Sequence, residues 1–272
     1  MRKVGVLLMA LSFACFASAA PADWNLGDPH KMHFPQLPDE DGWDVSWYNA
    51  GYEPIELADD WVCTQSGPVT DIHIWFSAKE DLYSGMLDRF NICVRIYSDN
   101  PDGGQGYSVP DQFLWGWTWN EMYPDPGNVA VRPDGAGDQG WWWPGEDFIQ
   151  HDHADIWQLN LTELADHSGM PFEQVAGEVY WLNVHISTTD QFSHIPDPAI
   201  GWKTADVDRY PENPGQHFRD DAVWYDQFTH QWQELRDPIT GESLDLAFVI
   251  TPEPATVALL AVGAVALLRK RR

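Results

Sequence analysis

Apolar and polar residues alternate strictly over several short stretches, and a period of two marks a strand with one buried face. In Thr70–Ala78, Ile72, Ile74 and Phe76 fall on one side and Asp71, His73 and Trp75 on the other. Phe90–Tyr97 sets Phe90, Ile92, Val94 and Ile96 against Asn91, Cys93, Arg95 and Tyr97. Val179–Ser187 sets Tyr180, Leu182, Val184 and Ile186 against Trp181, Asn183 and His185, and Leu244–Ile250 sets Leu244, Leu246, Phe248 and Ile250 against Asp245, Ala247 and Val249. Shorter segments of the same kind span 55–63, 112–119, 156–161, 199–204 and 222–226. Within the second of these, Phe113, Trp115, Trp117 and Trp119 share one parity and read as core. Clusters of Asp, Asn, Gly and Pro at 99–106, 124–128, 133–140 and 211–215 read as turns. Helical periodicity is confined to Thr162–His167, a turn or two. Short strands with one-sided apolar faces need a second sheet against them. The pattern therefore predicts an all-β, two-sheet sandwich, jelly-roll-like, over residues 20–251, with 20–50 as an irregular wrap at one end.

The two ends break this pattern. Arg2 and Lys3 precede an apolar run from Val4 to Phe16, and Ala17-Ser18-Ala19 supplies the small residues a signal peptidase requires. Residues 1–19 read as a signal peptide cut after Ala19. A lipoprotein reading through Cys15 meets Ser12 where such signals carry Leu. At the other end, Pro252-Glu253-Pro254 leads into an uncharged run, Ala255–Leu268, closed by Arg269, Lys270, Arg271 and Arg272. Fourteen helical residues span about 21 Å against a hydrocarbon core of about 30 Å, and long basic side chains snorkel to cover part of the difference. Four basic residues stay cytoplasmic under the positive-inside rule, which agrees with a leader that sends the body outside.

That C-terminal order of triplet, apolar helix and basic end resembles the PEP-CTERM sorting signal. The resemblance implies reading by an exosortase, a membrane-embedded cysteine protease of diderm bacteria. It also implies transient residence in the inner membrane, cleavage near Pro252–Pro254 and delivery to the cell surface or extracellular matrix. An ordinary membrane anchor is the plainer alternative. Leu57-Ala58-Asp59-Asp60-Trp61, Gly67–Trp75, Gly201-Trp202-Lys203-Thr204 and Gly241–Thr251 resemble an uncharacterised β-sandwich domain common in exported PEP-CTERM proteins, and that resemblance implies no activity.

Charge narrows the partners. Residues 20–251 carry nine basic and 41 acidic side chains (9 − 41 = −32). Such a body repels phosphate, so nucleic acid and anionic lipid are excluded as natural partners. Hydrophobic residues at 44% and 16 Trp separate it from a disordered acidic tail. Two cysteines, Cys63 and Cys93, remain after leader removal, in a compartment that permits a disulfide. Parity puts Cys93 on the polar face of its strand and Cys63 on the apolar face of its own. A bridge therefore requires a β-bulge, and two free thiols are the alternative.

Three constellations carry chemistry. His151, His153 and Asp155 alternate and offer nitrogen and oxygen donors of the kind zinc uses, although Ile156 breaks the resemblance to a metallo-β-lactamase motif. The plainer reading is a polar loop. Asp99, Asn100 and Asp102, and Asp134 with Asp138, supply hard oxygens suited to a structural Ca²⁺, or simply make turns. Trp75 shares a face with Asp71 and His73, and Trp181 with Asn183 and His185. With Trp141, Trp142 and Trp143 in a Gly-flanked loop, these are candidate sugar platforms, or packing beneath a covering segment. With 41 acidic residues, some carboxylate pair meets glycosidase spacing by chance. The sequence thus predicts an exported, non-enzymatic surface or matrix protein, structural or polysaccharide-binding, without a required cofactor. The alternative is a secreted hydrolase acting on polysaccharide or through a metal.

Overall fold

The computed structural model describes residues 23–85, 87, 90–120, 124–188, 196–209 and 221–252. The leader with Ala17 and Ala19, the turn cluster 211–215, Glu253, Pro254, the run 255–268 and the basic tail 269–272 lie outside them. Among the described residues no helix is long and apolar enough to cross a membrane. The chain is all-β: β1 (Trp43–Ser46), β2 (Leu57–Val62), β3 (Gly67–Val69), β4 (Asp71–Ala78), β5 (Asn91–Asn100), β6 (Val109–Trp119), β7 (Asn128–Trp143), β8 (Asp147–Thr162), β9 (Phe172–Gln174), β10 (Val179–Ser187), β11 (Ile200–Lys203), β12 (Val223–Asp226), β13 (Gln231–Glu234) and β14 (Phe248–Thr251).

Two six-stranded sheets form the body, in the orders β11-β1-β7-β8-β4-β14 and β13-β12-β2-β10-β5-β6, with β3 and β9 as a separate pair. Alternation decides what lies between them. Ile72, Ile74 and Phe76 of β4 meet Ile92, Val94 and Ile96 of β5 and Leu182, Val184 and Ile186 of β10 in one core. Tryptophans bridge the layers while satisfying their indole N–H. Trp47 Nε1 donates to Val184 O at 2.6 Å, and the Trp61 ring lies 6.4 Å from Phe248.

The first sheet departs from a jelly roll. β1 runs parallel to β7, and β4 pairs with β8 on one edge and with both β14 and β11 on the other. The path β4–β8–β7–β1–β11–β4 closes on itself as a five-stranded ring. Residues 43–46, placed by sequence in an irregular wrap, are thus a ring strand. Residues 23–42 are irregular: Asp23 and Trp24 lie on the outer face of β4 and β8, with Trp24 edge-on to Trp75 at 5.9 Å, while Lys31 and Gln36 bond to β14 and Met32, Phe34 and Leu37 enter the core.

The segment 133–140 is not a turn but the middle of β7, which pairs with β8 through three register shifts. Its glycines serve close approach. A Cβ on Gly137 would stand 1.7 Å from Glu40 O, and one on Gly140 would stand 2.3 Å from the Trp43 ring. Phe113 is a second correction: it is 61% exposed. Ile96 pairs with Trp115 but Tyr97 with Phe113, so a bulge at Leu114 moves Phe113 to the outer face. Both described cysteines are free, Cys63 within the core and Cys93 on the far face of β5.

Candidate functional site

The outer faces that sequence offered to a sugar are closed. Asp71, His73 and Trp75 are all buried. Asp71 Oδ1 accepts from Glu163 N at 3.0 Å, and Trp75 Nε1 donates to Asp134 Oδ2 at 2.5 Å. His73 Nδ1 meets Asn160 Oδ1 at 2.6 Å and Nε2 meets the Thr251 hydroxyl at 3.3 Å. Burial is the largest influence on His73 and lowers its pKa to about 4, so the ring is neutral. On the other sheet, Trp181 is buried with Ala58 and Val223, and its Nε1 donates to Asp99. Asn183 is buried and donates to Leu57 O, and half-buried His185 lies 5.5 Å from the Tyr48 ring. The Trp141–Trp143 run is strand rather than loop. Trp141 and Trp142 are buried, and half-buried Trp143 lies 5.9 Å from Lys79 Nζ.

The His151, His153 and Asp155 set does not converge. A positive φ of 55° at His151 and the register shifts of β7 against β8 re-aim the alternation. His151 is exposed and bonds Asp138, Asp155 is exposed, and the His153 side chain is sealed inside. Both ring nitrogens of His153 face carboxylates, Nδ1 at 3.0 Å from Asp152 and Nε2 at 2.9 Å from Asp44. Burial pulls its pKa down, but these two acids outweigh it and push it up to about 9. A cationic imidazole with both nitrogens donating cannot ligate a metal. Several of the proposed calcium oxygens already accept bonds within the protein. Asp99 accepts from Trp181 and Ser108, Asn100 from the Gly103 N–H, and Asp134 pairs with Arg132 at 2.9 Å. Asp102 is the start of a tight turn, its carbonyl accepting from Gln105 and Gly106. Among the described residues no three His, Cys, Asp or Glu gather as a metal site.

What the structure does open is a groove of about 700 Å³ between the loop at 49–55, the β7–β8 turn at 144–146 and the β12–β13 hairpin. The hairpin is built locally. Asp226 accepts from the Phe228 N–H at 2.8 Å and the Thr229 hydroxyl at 2.7 Å, and these bonds hold its carboxyl below the ordinary range. The turn they fix leaves Phe228 90% exposed at the rim. Trp224 lies along the groove because residue 145 is glycine: φ is +76°, and a Cβ there would stand 2.7 Å from the ring. The opposite wall is a tight loop in which Asn49 Oδ1 accepts from Glu53 N, while Ala50 N donates to Glu146 at 2.7 Å. On the far side of that loop lies a second hollow of about 410 Å³, lined by Tyr48, Tyr52, Lys79 and Trp143, and Asn49 borders both. Sequence reasoning named Trp143 but missed Trp224, Tyr225 and Phe228. The signal was there: four aromatics within Trp224–Trp232, around an Asp placed to cap the turn.

All three walls of the groove fall within one homologous unit. A model of a domain family, described as Domain of unknown function (DUF7901), matches residues 32–251. The chain belongs to this family. The DUF7901 domain is followed directly by a match to the PEP-CTERM protein-sorting motif over residues 251–272. That motif makes the chain an exported substrate of an exosortase, destined for the envelope or the extracellular space. No curated protein and no solved structure matches the chain. The groove of the DUF7901 domain has therefore to be read from its own chemistry.

Proposed function

We propose that the exported domain binds an uncharged polysaccharide of the cell surface or matrix in the groove beside β12 and β13, without turning it over. The carrying observation is Phe228, held 90% exposed by the Asp226 cap at the rim of a groove that also presents Trp224 and Tyr225. An aromatic held in solvent on a capped turn gains the fold nothing, and it offers a stacking face for a sugar ring. Gln227, Thr229, Gln233 and Asn49 stand around it as hydroxyl partners, and the volume lies in the range of small-molecule sites. The acidic members favour a neutral ligand. Glu146 is engaged by Ala50, Glu234 by Arg236 at 3.0 Å, and Asp226 is held low, the opposite of what a general acid needs.

Affinity electrophoresis through neutral polysaccharides tests the reading. Wild type is expected to be retarded on at least one, and Trp224→Ala with Phe228→Ala to run as in a blank gel. Equal migration of wild type and double variant on every polymer sinks it. Release of new reducing ends from a retained polymer would favour the hydrolase alternative.

A further inference from the structure

Each strand of the closed ring contributes at least one buried polar side chain, among them Asp44 from β1, Ser77 from β4, Gln139 from β7, His153 from β8 and Lys203 from β11. Their bonds join strands that are not neighbours, His153 to Asp44 and Ser77 to Gln139, so they run through the ring. Lys203 and Asp44 are direct register partners on β11 and β1. Both side chains are fully buried, with Nζ 3.2 Å from Oδ2.

As an ion pair this arrangement is poorly served. A lysine ammonium has three donors, and among the described residues Lys203 Nζ finds one acceptor. Asp44 Oδ2 accepts from both Lys203 and His153, while Oδ1 is buried with no partner. Two charges in a dry interior are favourable only when their remaining donors and acceptors are satisfied. An amide in the same place has one N–H, one carbonyl and no charge. Of the two reactants the amine is the prepared one, while the upward pull of burial on the Asp44 carboxyl is outweighed by Lys203 and His153, which hold it low. Burial lowers the Lys203 pKa despite Asp44, which favours the nucleophilic amine. Protonated His153 stands on the oxygen that must depart, steadied from behind by Asp152.

We propose that Lys203 and Asp44 condense into an intramolecular isopeptide bond, with His153 carrying the proton. Lys203 gives one proton to Asp44 Oδ2 and its freed pair attacks Cγ, forming the N–C bond as the C=O electrons move to Oδ1. His153 Nε2–H protonates the Oδ2 hydroxyl, the C–O bond breaks and water leaves with that electron pair. Oδ1 reforms the carbonyl, and the surplus proton on nitrogen returns to His153. An ammonium and a carboxylate become an amide and one water, nothing is oxidised or reduced, and His153 ends as it began. Exclusion of bulk water from the ring protects the product from hydrolysis. The bond would tie together residues 159 apart in a chain whose described cysteines are free.

Mass spectrometry of the denatured full chain tests this. The wild type is expected to be lighter by one water than its processed sequence. Its tryptic digest should hold a branched peptide joining Asp44 to Lys203, with no cleavage after Lys203. Asp44→Asn should give the same branch with ammonia lost instead of water, and His153→Gln should accumulate unbranched chain. Normal cleavage after Lys203 in the wild type, with the unbranched Asp44 peptide in full yield, overturns the proposal whatever the variants do. Persistence of the water loss in Lys203→Arg also overturns it, because dehydration at a site such as Asp41-Gly42 would then explain the mass. A branch at wild-type yield in His153→Gln removes the role given to His153.

Discussion

Acid should unfold this domain partly through one histidine. His73 is 3% exposed and neutral, its Nδ1–H donating to Asn160 and its Nε2 left to accept from Thr251. Burial depresses its folded pKa to about 4 from 6.5. A depressed folded value means that the stabilisation is fully present above the unfolded pKa and is lost as pH falls through the folded one. At about pH 4.5 the unfolded ring is almost wholly charged and the folded ring mostly neutral. The linkage integral from pH 8 then gives a loss of roughly 2.5 kcal/mol from this side chain alone. His33, also buried and pushed down to about 3, adds to the acid lability of any variant, so a double difference is needed. His73→Gln keeps one donor for Asn160 and one acceptor for Thr251 but does not titrate. Urea unfolding of both proteins at pH 8 and 4.5 should show wild type losing roughly 2.5 kcal/mol more than the variant. Equal losses would show that His73 is not the buried neutral base the structure makes it.

The remaining predictions concern glycine, the rim and the tail. Gly137→Ala drives a Cβ into the Glu40 backbone and should cost roughly 1–3 kcal/mol in thermal or urea unfolding, with no effect expected if β7 were the turn its composition suggests. Gly145→Ala meets both a left-handed φ and the Trp224 ring, so polysaccharide retardation should fall along with stability. Phe228→Ala, which removes an exposed ring, should leave the free energy of unfolding within about 0.5 kcal/mol of wild type while lowering retention. Replacing Arg269, Lys270, Arg271 and Arg272 by Gln should impair retention and processing at the sorting motif, read as a shift in mature size on immunoblots. Unchanged processing would contradict the stop-transfer role of the tail.

Strand parity was legible wherever one face met the core. Ile72, Ile74 and Phe76, or Leu182, Val184 and Ile186, alternate because a one-residue slip would bury polar groups. It also placed Cys63 and Cys93 on different faces, and both are free. β7 was illegible for a physical reason. Its glycines answer to Glu40 and Trp43, residues nearly a hundred positions away, and local composition cannot distinguish a glycine needed for a turn from one needed for contact. The closed outer faces were illegible too, because the residues that cover Trp75 and His73 have no periodicity to announce them. The groove was missed because Trp224 and Tyr225 share one four-residue strand, too short for a pattern, and Phe228 sits in the turn that follows it.

Where the positive charge goes is a further argument that the proposed ligand is neutral. Each basic side chain among the described residues is already engaged. Lys79 pairs with Glu80, Arg95 with Glu56, Arg132 with Asp134, Arg209 with Glu40, and Arg236 with both Asp221 and Glu234. Lys203 is spent inside the ring on Asp44, and Lys31 donates to Pro68 O. An anionic polymer approaching the described surface thus meets carboxylates with no uncommitted cation to receive it, and the cost of stripping water from both is not recovered. An uncharged sugar would avoid that cost, because in the proposed mode its hydroxyls would bond to amides and its ring faces would stack on Trp224 and Phe228. The same economy of cations makes the Lys203–Asp44 pair unusual: a chain this short of basic residues places one where only a single carboxylate oxygen can reach it.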